Sequence, residues 1–370
     1  MDWGLCIATL VLLGIGIVLV YSSSFAVAQT NFGSADFFLL RQLSRALLAL
    51  VAFMVFINVD YRIWSKYSGV LLVVAVVLLI YVLTQSDSAA VKGAKRWMTL
   101  FGVRFQVSDF ARMALILFLA KKLGNCSSVD FSDWRSLIPH YVCIGVICGL
   151  ILLGPDFSTT MIILIVAFGM IFMAGAKVKH LLVTLVLTLP LAVIVALAQP
   201  YRVRRLASFK DTGYQVFQSL IGLGRGGVFG TGLGRGEQKY FFLPEPHTDF
   251  IITVLGEEFG FVGIIAVFMI FAFIVYRGFS ISLNAPDRTG QLAAFGFTLV
   301  IAVYVLVHSS VAIGLVPPTG VPMPFLSYGG MSLIFTMSGM GILLNISSKV
   351  NSETRRVPAV PEQKRKKARA

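Results

Sequence analysis

The sequence predicts an all-α polytopic membrane protein, with about ten transmembrane helices and a large extracytoplasmic loop between helices 7 and 8. Three observations predict this class. Of the 370 residues, 57% are hydrophobic and only 13% are charged, whereas soluble domains are about 45–50% apolar and about 25% charged. The mean hydropathy is +0.85. Apolar segments recur at lengths that suit a spanning helix, which needs roughly 20 residues. This balance excludes a water-soluble globule and a disordered chain.

Taken in chain order, ten apolar segments are candidates for spanning helices. The first is predicted to be a retained helix rather than a cleaved signal peptide, because Asp2 precedes it and no basic residue occurs before Arg41. The fourth is the weakest, since it is short and carries Arg112. The segments are 3–21, 43–59, 67–84, 109–123, 137–153, 157–175, 179–198, 250–276, 291–316 and 329–347.

These segments form one predicted transmembrane domain over residues 1–348, in which two stretches, 85–108 and 199–249, are long and polar. The second of them is the large extracytoplasmic loop. Residues 349–370 are polar, basic and proline-containing, so we expect a disordered cytoplasmic tail.

The positions of the charges predict the orientation. The net charge is +14, and with the N-terminus inside, Lys and Arg concentrate in the inside loops and the tail, which is the positive-inside pattern. We therefore expect a multi-pass protein of the bacterial cytoplasmic membrane with both termini in the cytoplasm. The basic surplus is explained by this topology and does not indicate a nucleic-acid partner.

The two long outside loops break this pattern because they are also basic. Either the charges are simply solvated, or they form a cationic vestibule for an anionic ligand such as a pyrophosphate-bearing lipid, since Arg and Lys bind phosphate well. The basic residues are Lys92, Lys95, Arg96, Arg104, Arg202, Arg204, Arg205, Lys210, Arg225, Arg235 and Lys239.

The large loop contains eight glycines between Gly222 and Gly236, with GLGRGG and GLGRGE ten residues apart. A GxGxxG spacing occurs, but a dinucleotide site needs a preceding strand and a βαβ unit, and neither is predicted here. Two interpretations stay open. The tract is a hinged or tightly turned loop lining the vestibule, because glycine allows close backbone approach and positive φ, or it is an irregular connector.

The few acidic residues are candidates for chemistry. Glu245, His247 and Asp249 lie in LPEPHTDF, just before an apolar run. Asp249 suits a general base or a metal ligand, and a helix N-cap is the alternative. Within that run, Glu257 and Glu258 favour a structural ion pair with an arginine of the bundle. Asp156 favours an N-cap of the following helix over a functional role.

Several long segments of this sequence resemble those of the SEDS family (shape, elongation, division and sporulation), which includes FtsW, RodA and SpoVE. The resemblance runs almost from end to end. The matching words are LVYSSS at 19–24, GAKRW at 93–97, FQVSDFARMAL at 105–115, GPDFSTT at 154–160, PYRVRRLASF at 200–209, GYQVFQSLIGLGRGGVFGTGLGRGEQK at 213–239, LPEPHTDFIITVLGEEFG at 243–260 and PPTGVPMPFLSYGGMSL at 317–333.

The resemblance implies ten transmembrane helices with both ends cytoplasmic, and peptidoglycan glycosyltransferase activity that polymerises lipid II. The family's essential acidic residue falls on Asp249 and its loop tryptophan on Trp97. We predict Asp249 as the catalytic residue, as a general base or a metal ligand. A divalent cation (Mg²⁺ or Mn²⁺) is an open alternative, and no organic cofactor is expected. The predicted substrate-binding residues are Lys95, Arg96, Trp97, Arg202, Arg205, Glu245, His247 and Ser327.

The FtsW/SpoVE branch, which acts at the septum, is favoured over the RodA branch, which acts in elongation. The expected partners are lipid II, a class B penicillin-binding transpeptidase, and other membrane proteins of the division or elongation machinery. Two other functions stay in view: a lipid II flippase using the same cationic cavity, and a non-catalytic scaffold that recruits the transpeptidase.

Overall fold

A computed structural model describes residues 1–85, 97–100, 103–125, 134–154, 156–184, 186 and 213–356. Almost all of this is helical, and residues 178–184 form a further helical stretch. The elements are α1 (Trp3–Phe32), α2 (Phe37–Asn58), α3 (Tyr61–Lys66), α4 (Ser68–Thr84), β1 (Trp97–Leu100), β2 (Val103–Gln106), α5 (Val107–Gly124), α6 (Trp134–Leu153), α7 (Phe157–Met173), α8 (Tyr214–Gly226), α9 (Ile251–Leu283), α10 (Arg288–Ala312) and α11 (Met331–Arg356).

The helices confirm a polytopic membrane fold. Within the described residues, six helices are long and apolar enough to cross a membrane, and α4 and α7 are shorter apolar helices. With α5 and the helical residues at 178–184, every one of the ten predicted segments falls on a helix. Most of the seventh segment, at 187–198, lies outside the described residues. The helix α11 continues to Arg356, beyond the predicted start of the tail at 349.

Helix α1 is longer than its apolar segment predicts. The hydropathy signal stops near residue 21, but the helix continues to Phe32, and the three serines that follow residue 21, Ser22, Ser23 and Ser24, are buried in the bundle. Ser23 is buried and donates to the carbonyl of Leu19 at 2.7 Å. A short polar side chain that bonds its own helix backbone does not end a helix in a membrane.

Helix α5, the weakest predicted span, lies in the centre of the bundle. Nearly all its residues from Val107 to Leu123 are buried. Arg112 is 4% exposed; it pairs with Asp109 at 3.1 Å and contacts the hydroxyl of Tyr304 on α10. A helix surrounded by protein does not need a lipid-facing apolar surface, which explains its modest hydropathy.

Ion pairs and hydrogen bonds join the helices at the end of the bundle that carries the N-terminus. Asp60 pairs with Lys349 at 3.0 Å, and Asp2 pairs with Arg277 at 2.5 Å. Partial burial of Asp60 raises the pKa of its carboxyl, but the Arg62 N–H and the Lys349 ammonium lower that pKa further, so it lies below the usual value. Ion pairs between different helices therefore hold this end of the bundle together.

A two-stranded antiparallel hairpin, β1–β2, was not predicted. It lies within the polar stretch 85–108, and it pairs Trp97 with Gln106 and Leu100 with Val103. Its four-residue strands are too short to give a clear alternating pattern in the sequence. The hairpin leads directly into α5 and packs against the start of α11 through Phe105 and Phe335.

Candidate active site

The segment before α9 is a tight turn that presents Asp249. Phe241 and Glu245 have positive φ angles of 68° and 55°, which non-glycine residues adopt only when surrounding contacts hold them. The N–H groups of Thr248 and Asp249 both donate to the Glu245 carbonyl, at 3.2 and 3.1 Å. Asp249 is half-buried, two residues before the first residue of α9. The turn thus fixes a carboxylate at the mouth of the helix bundle.

The last loop, between α10 and α11, is fastened to this turn. The Ser327 hydroxyl donates to the Thr248 carbonyl at 2.7 Å and accepts from the Met323 N–H at 2.9 Å. The Tyr328 N–H donates to the His247 carbonyl at 2.8 Å. Ser327 is only 3% exposed, so its hydroxyl joins two loops. These bonds hold the backbone on the N-terminal side of Asp249 against the last loop.

Gly320 of the same loop lies beside the Asp249 carboxylate. Its φ is +70°, and a Cβ at this position would be 3.7 Å from Asp249 Oδ2. The adjacent Thr319 carbonyl accepts a hydrogen bond from the Ser158 hydroxyl at 3.3 Å, near the start of α7. A glycine beside a carboxylate leaves space for another group to approach it. At Gly320, the Asp249 carboxylate therefore borders backbone atoms rather than a side chain.

The hairpin that carries Trp97 joins the same end of the bundle. Gln106, opposite Trp97, donates through Nε2 to Asp156 Oδ2 at 3.1 Å. Asp156 Oδ1 accepts from the Thr159 N–H at 3.3 Å, which confirms the predicted N-cap of α7. Asp156 thus connects the hairpin that carries Trp97 to the start of α7. The start of α7 also contacts the last loop, next to Gly320 and Asp249.

Helix α2 contributes an aromatic and cationic wall that sequence reasoning missed. Phe38 packs on the His247 ring at a centroid distance of 4.7 Å and on the Tyr328 ring at 5.2 Å. The guanidinium of Arg45 lies over the Tyr328 ring, 4.4 Å from its centroid. The signal that could have found Arg45 is its position inside a predicted span, where a charge usually has a function or a partner.

The glycine tract packs against the start of α9. Gly222, Gly224 and Gly226 lie within α8, and the later glycines form turns. A Cβ on Gly226 would be 1.9 Å from the Gly256 carbonyl oxygen, and one on Gly230, where φ is +80°, would be 2.2 Å from the Glu258 carbonyl oxygen. The tight turns are confirmed by the positive φ of the later glycines, whereas the place of this loop in a vestibule stays a prediction. The glycines allow the loop backbone to lie directly on the helix backbone.

Glu257 and Glu258 hold this loop in place. Glu258 pairs with Lys239 at 2.6 Å and accepts from the Ser22 hydroxyl of α1 at 2.7 Å. Glu257 accepts from the N–H groups of Glu237 and Gln238, the former at 2.8 Å. The predicted structural ion pair is confirmed for Glu258, but its partner is a loop lysine. The prediction of a bundle arginine is wrong, because the loop folds back far enough to supply its own cation.

Other loop charges lie at the surface. Arg225 pairs with Glu237 at 2.5 Å, and both side chains are about half exposed. The hydrogen bond from Arg225 to Glu237 raises the pKa of the guanidinium. Within the described residues, no group of three or more His, Cys, Asp or Glu side chains could hold a metal ion.

Comparison with known proteins identifies the fold. The family model described as "Cell cycle protein", for FtsW, RodA and SpoVE, matches residues 4–352. The chain belongs to the FtsW/RodA/SpoVE family.

Two relatives in this family are 37% identical to the chain. One, from Geobacter sp. (strain M18), is named a probable peptidoglycan glycosyltransferase FtsW; the match spans 342 residues, 90% of this chain and 93% of the relative. The other is stage V sporulation protein E of Bacillus subtilis (strain 168), matched over 353 residues, 94% of this chain and 96% of the relative.

Solved structures in the FtsW/RodA/SpoVE family have the same fold. A chain from a structure described as "structural coordination of polymerization and crosslinking by a peptidoglycan synthase complex" matches with a TM-score of 0.77 and 27% identity, covering 94% of this chain and 98% of that one. RodA of Thermus thermophilus matches with a TM-score of 0.70 and 27% identity, covering 94% and 97%. The ten predicted helices agree with this fold.

The structure brings together four of the predicted site residues of this family member and places a fifth, Trp97, on a neighbouring hairpin. Asp249, Glu245 and His247 share one turn, Ser327 fastens that turn, and Trp97 lies on the hairpin joined to the start of α7. Glu245 also accepts a hydrogen bond from the Thr248 hydroxyl, at 3.3 Å. The predicted cations Lys95, Arg96, Arg202 and Arg205 lie outside the described residues.

Proposed function

We propose that this chain polymerises lipid II into glycan strands on the outer face of the cytoplasmic membrane. It is a peptidoglycan glycosyltransferase of the FtsW type. The observation that carries the mechanism is the Asp249 carboxylate, half-buried at the mouth of the bundle and beside the bare backbone of Gly320. A carboxylate that is held by a tight turn and is partly exposed can be reached by a bound substrate, which suits proton transfer.

In the proposed step, Asp249 accepts the proton of the acceptor sugar hydroxyl. The hydroxyl oxygen attacks the anomeric carbon of the donor sugar, and a β-1,4 glycosidic bond forms with inversion. The bond from that carbon to the pyrophosphate oxygen breaks, and undecaprenyl pyrophosphate leaves with the electron pair. Asp249 then releases the proton to water.

The leaving pyrophosphate gains negative charge as the bond breaks, and cations stabilise such charge. Arg96, Arg202 and Arg205 are the proposed cations, with Lys95 beside them. A magnesium or manganese ion binds through one or two carboxylates together with substrate phosphates, so Asp249 is the residue that would hold one. When bound, such an ion supplies charge stabilisation at the pyrophosphate.

We further propose a septal role, with both termini in the cytoplasm and a class B penicillin-binding transpeptidase as the membrane partner. The relatives named FtsW and stage V sporulation protein E support the septal branch. The fold shared with a chain of a peptidoglycan synthase complex, described as coordinating polymerization and crosslinking, supports the partner.

The test is polymerisation of lipid II by the purified protein, with and without its cognate transpeptidase and with added Mg²⁺. Asp249→Asn removes the proton acceptor and keeps the side-chain shape, so we expect glycan product to fall by about 10²–10⁴-fold, the usual contribution of a general base. The matched control is Glu237→Gln, a carboxylate-to-amide change on the surface of the same loop, which keeps full activity.

Each other outcome rejects part of the proposal. Equal product from wild type and Asp249→Asn removes Asp249 from the chemistry. No product from wild type, even with the partner and Mg²⁺ present, rejects the transferase. Transport of fluorescent lipid II across vesicles by the same sample would then identify a flippase, and its absence would leave a scaffold.

A further inference from the structure

Helix α2 carries two buried polar groups that lack partners near the Asp249 turn. Gln42 is 0% exposed, yet neither its amide nitrogen nor its amide oxygen has a hydrogen-bond partner in the part of the chain that the structure describes. The same is true of Nη1 of Arg45. Burying polar atoms without partners is costly. Two such residues one helical turn apart indicate a site built to receive a ligand.

Arg45 lies at the N-terminus of α11, and Gln42 precedes it by one turn of α2. The buried stripe of α2 contains Gln42, Ala46 and Phe53. This stripe faces α11, because a Cβ on Gly341 would be 2.8 Å from the Phe53 carbonyl oxygen. Nearer the start of α11, a Cβ on Gly330 would be 3.9 Å from Arg45 Nη1. The first N–H groups of a helix carry partial positive charge, and in α11 the N–H of Ser332 already donates to the Gly329 carbonyl at 3.0 Å.

The charge of Arg45 indicates that the ligand is an anion. Other buried cations in the described bundle pair with carboxylates, as Lys239 does with Glu258 and Arg112 with Asp109. In the same described part, no ion pair involves Arg45, which instead stacks on Tyr328. A half-buried arginine, a helix N-terminus and an amide donor together suit a phosphate group.

The surroundings favour a phosphate carried by a lipid. The opposite face of α2 is exposed and apolar, with Leu43 43% and Leu47 64% exposed. In a membrane protein this face contacts acyl or prenyl chains. Leu48, one turn after Arg45 and on the same side of α2, is 47% exposed, so a ligand can approach Arg45 from the bilayer with its hydrocarbon tail along this side of the helix. Tyr328, beneath Arg45, donates its N–H to His247 in the Asp249 turn.

The geometry points to a phosphate-binding site formed by Arg45, Gln42 and the N-terminus of α11, which positions a polyprenyl pyrophosphate substrate beside Asp249. This inference rests on the proposed function and adds α2 residues to its substrate site. Arg45 and Gln42 are binding residues, and neither takes part in proton transfer.

The first test measures binding of undecaprenyl pyrophosphate to the full-length protein in detergent, by isothermal titration calorimetry. Arg45→Gln removes the charge, so we expect the Kd to rise about tenfold or more, because charge-assisted hydrogen bonds to the phosphate are lost. Arg45→Lys keeps the charge but loses the two-pronged geometry, and its Kd falls between the two. The matched control, Arg225→Gln, removes an arginine that is already paired at the surface, and binds as wild type does.

The Gln42→Leu variant tests whether Gln42 binds the ligand or only packs in the bundle. If Gln42 is kept for a ligand, the variant has a higher Tm than wild type without ligand, because an unpartnered buried amide has been removed, and it binds the lipid more weakly. A lower Tm with unchanged binding means that Gln42 only packs, and this result overturns its place in the site.

Four further results decide the inference. Inorganic pyrophosphate that binds as tightly as the lipid-linked form overturns a lipid site. An unchanged Kd and an unchanged KM for lipid II in Arg45→Gln, from an enzyme that still polymerises, overturns the inference and leaves the proposed function standing. Arg45-dependent binding that survives in Asp249→Asn, with polymerisation lost, supports both. Arg45-dependent binding by a wild type that forms no glycan rejects the proposed function but not the site.

Discussion

Two carboxylates nine residues apart in the chain, Asp249 and Glu258, occupy opposite environments. Glu258 is 1% exposed and is surrounded by Lys239 and Ser22, which both bond it. Asp249 is half-buried and lies beside the bare backbone of Gly320. The same loop supplies both the cation for one carboxylate and the turn that presents the other.

The difference between Glu258 and Asp249 shows that the large loop has both a structural and a functional part. A buried carboxylate enclosed by a cation and a hydroxyl has no access to a substrate, so it can only hold the loop in place. Asp249 is partly exposed, so a substrate can reach its carboxylate and exchange a proton with it; we call this the open site and Glu258 the closed site. The closed site at Glu258 holds in place the loop that carries the open site at Asp249. We therefore expect substitutions at the closed site to lower stability and substitutions at the open site to lower activity.

The largest effect on stability is expected at the closed site. Lys239→Met leaves Glu258 buried without its cation, which costs about 3–5 kcal/mol, and the Tm in detergent should fall by many degrees. The double variant Lys239→Met with Glu258→Leu replaces both charges and should recover much of the loss. Asp249→Asn, measured alongside, should leave the Tm unchanged. A Tm that falls equally in Lys239→Met and Asp249→Asn would remove the distinction between the two carboxylates.

A smaller effect is expected at the junction between the last loop and the Asp249 turn. Ser327→Ala leaves the Thr248 carbonyl and the Met323 N–H without their shared partner, which costs about 1–3 kcal/mol. We expect a lower Tm and a lower kcat, because the backbone before Asp249 loosens. Ser327→Thr keeps the hydroxyl and is the control. A raised KM with normal Tm and kcat would instead assign Ser327 to substrate binding.

The Gly320→Ala variant tests whether the space beside the Asp249 carboxylate is needed for activity. Its φ of +70° is unfavourable for alanine, by about 1–2 kcal/mol. The new methyl would lie 3.7 Å from Asp249 Oδ2. We therefore expect a modest fall in Tm but a clear fall in polymerisation, since the methyl occupies the approach to the carboxylate. Gly234→Ala, at a φ of +79° with open space around it, is the control for backbone strain alone. Equal activity in both variants would mean that Gly320 borders nothing that reacts.

The smallest effect is expected for the exposed pair of Arg225 and Glu237. Exposed ion pairs contribute little because solvent screens them. Arg225→Gln and Glu237→Gln should each leave Tm and polymerisation unchanged, in a thermal unfolding assay and a lipid II assay run together. A fall in polymerisation with an unchanged Tm would show that this surface contacts a substrate or partner.

Local sequence features predicted some contacts and missed others. The N-cap at Asp156 is a local feature that spacing revealed, whereas spacing left the role of Asp249 open, and its catalytic role is a prediction from the family resemblance. The contact of Lys239 with Ser22 joins residues 217 positions apart in the chain. No local pattern indicates that contact, and the sequence alone predicted a bundle arginine for Glu258 instead.

Hydropathy also gave a partial account of the fold. It detects surfaces that face lipid, so it located the outer helices well and ranked α5 last, although α5 is the most enclosed. It ended α1 early because it treats Ser23 as polar, while the structure buries that side chain. The α2 wall was missed for the same reason, since Arg45 lies in a segment whose average is strongly apolar.

The enclosure of α5 has a consequence for how the protein is made. A lysine, arginine or aspartate at the centre of a helix costs about 2.5–3.5 kcal/mol during insertion by the translocon, and α5 carries Asp109 and Arg112. Tyr304, which contacts Arg112, is 192 positions further along the chain. Helix α5 therefore enters the bilayer long before its partner on α10 is synthesised. During that interval Asp109, one turn away on α5 itself, is the residue that can pair with the charge of Arg112.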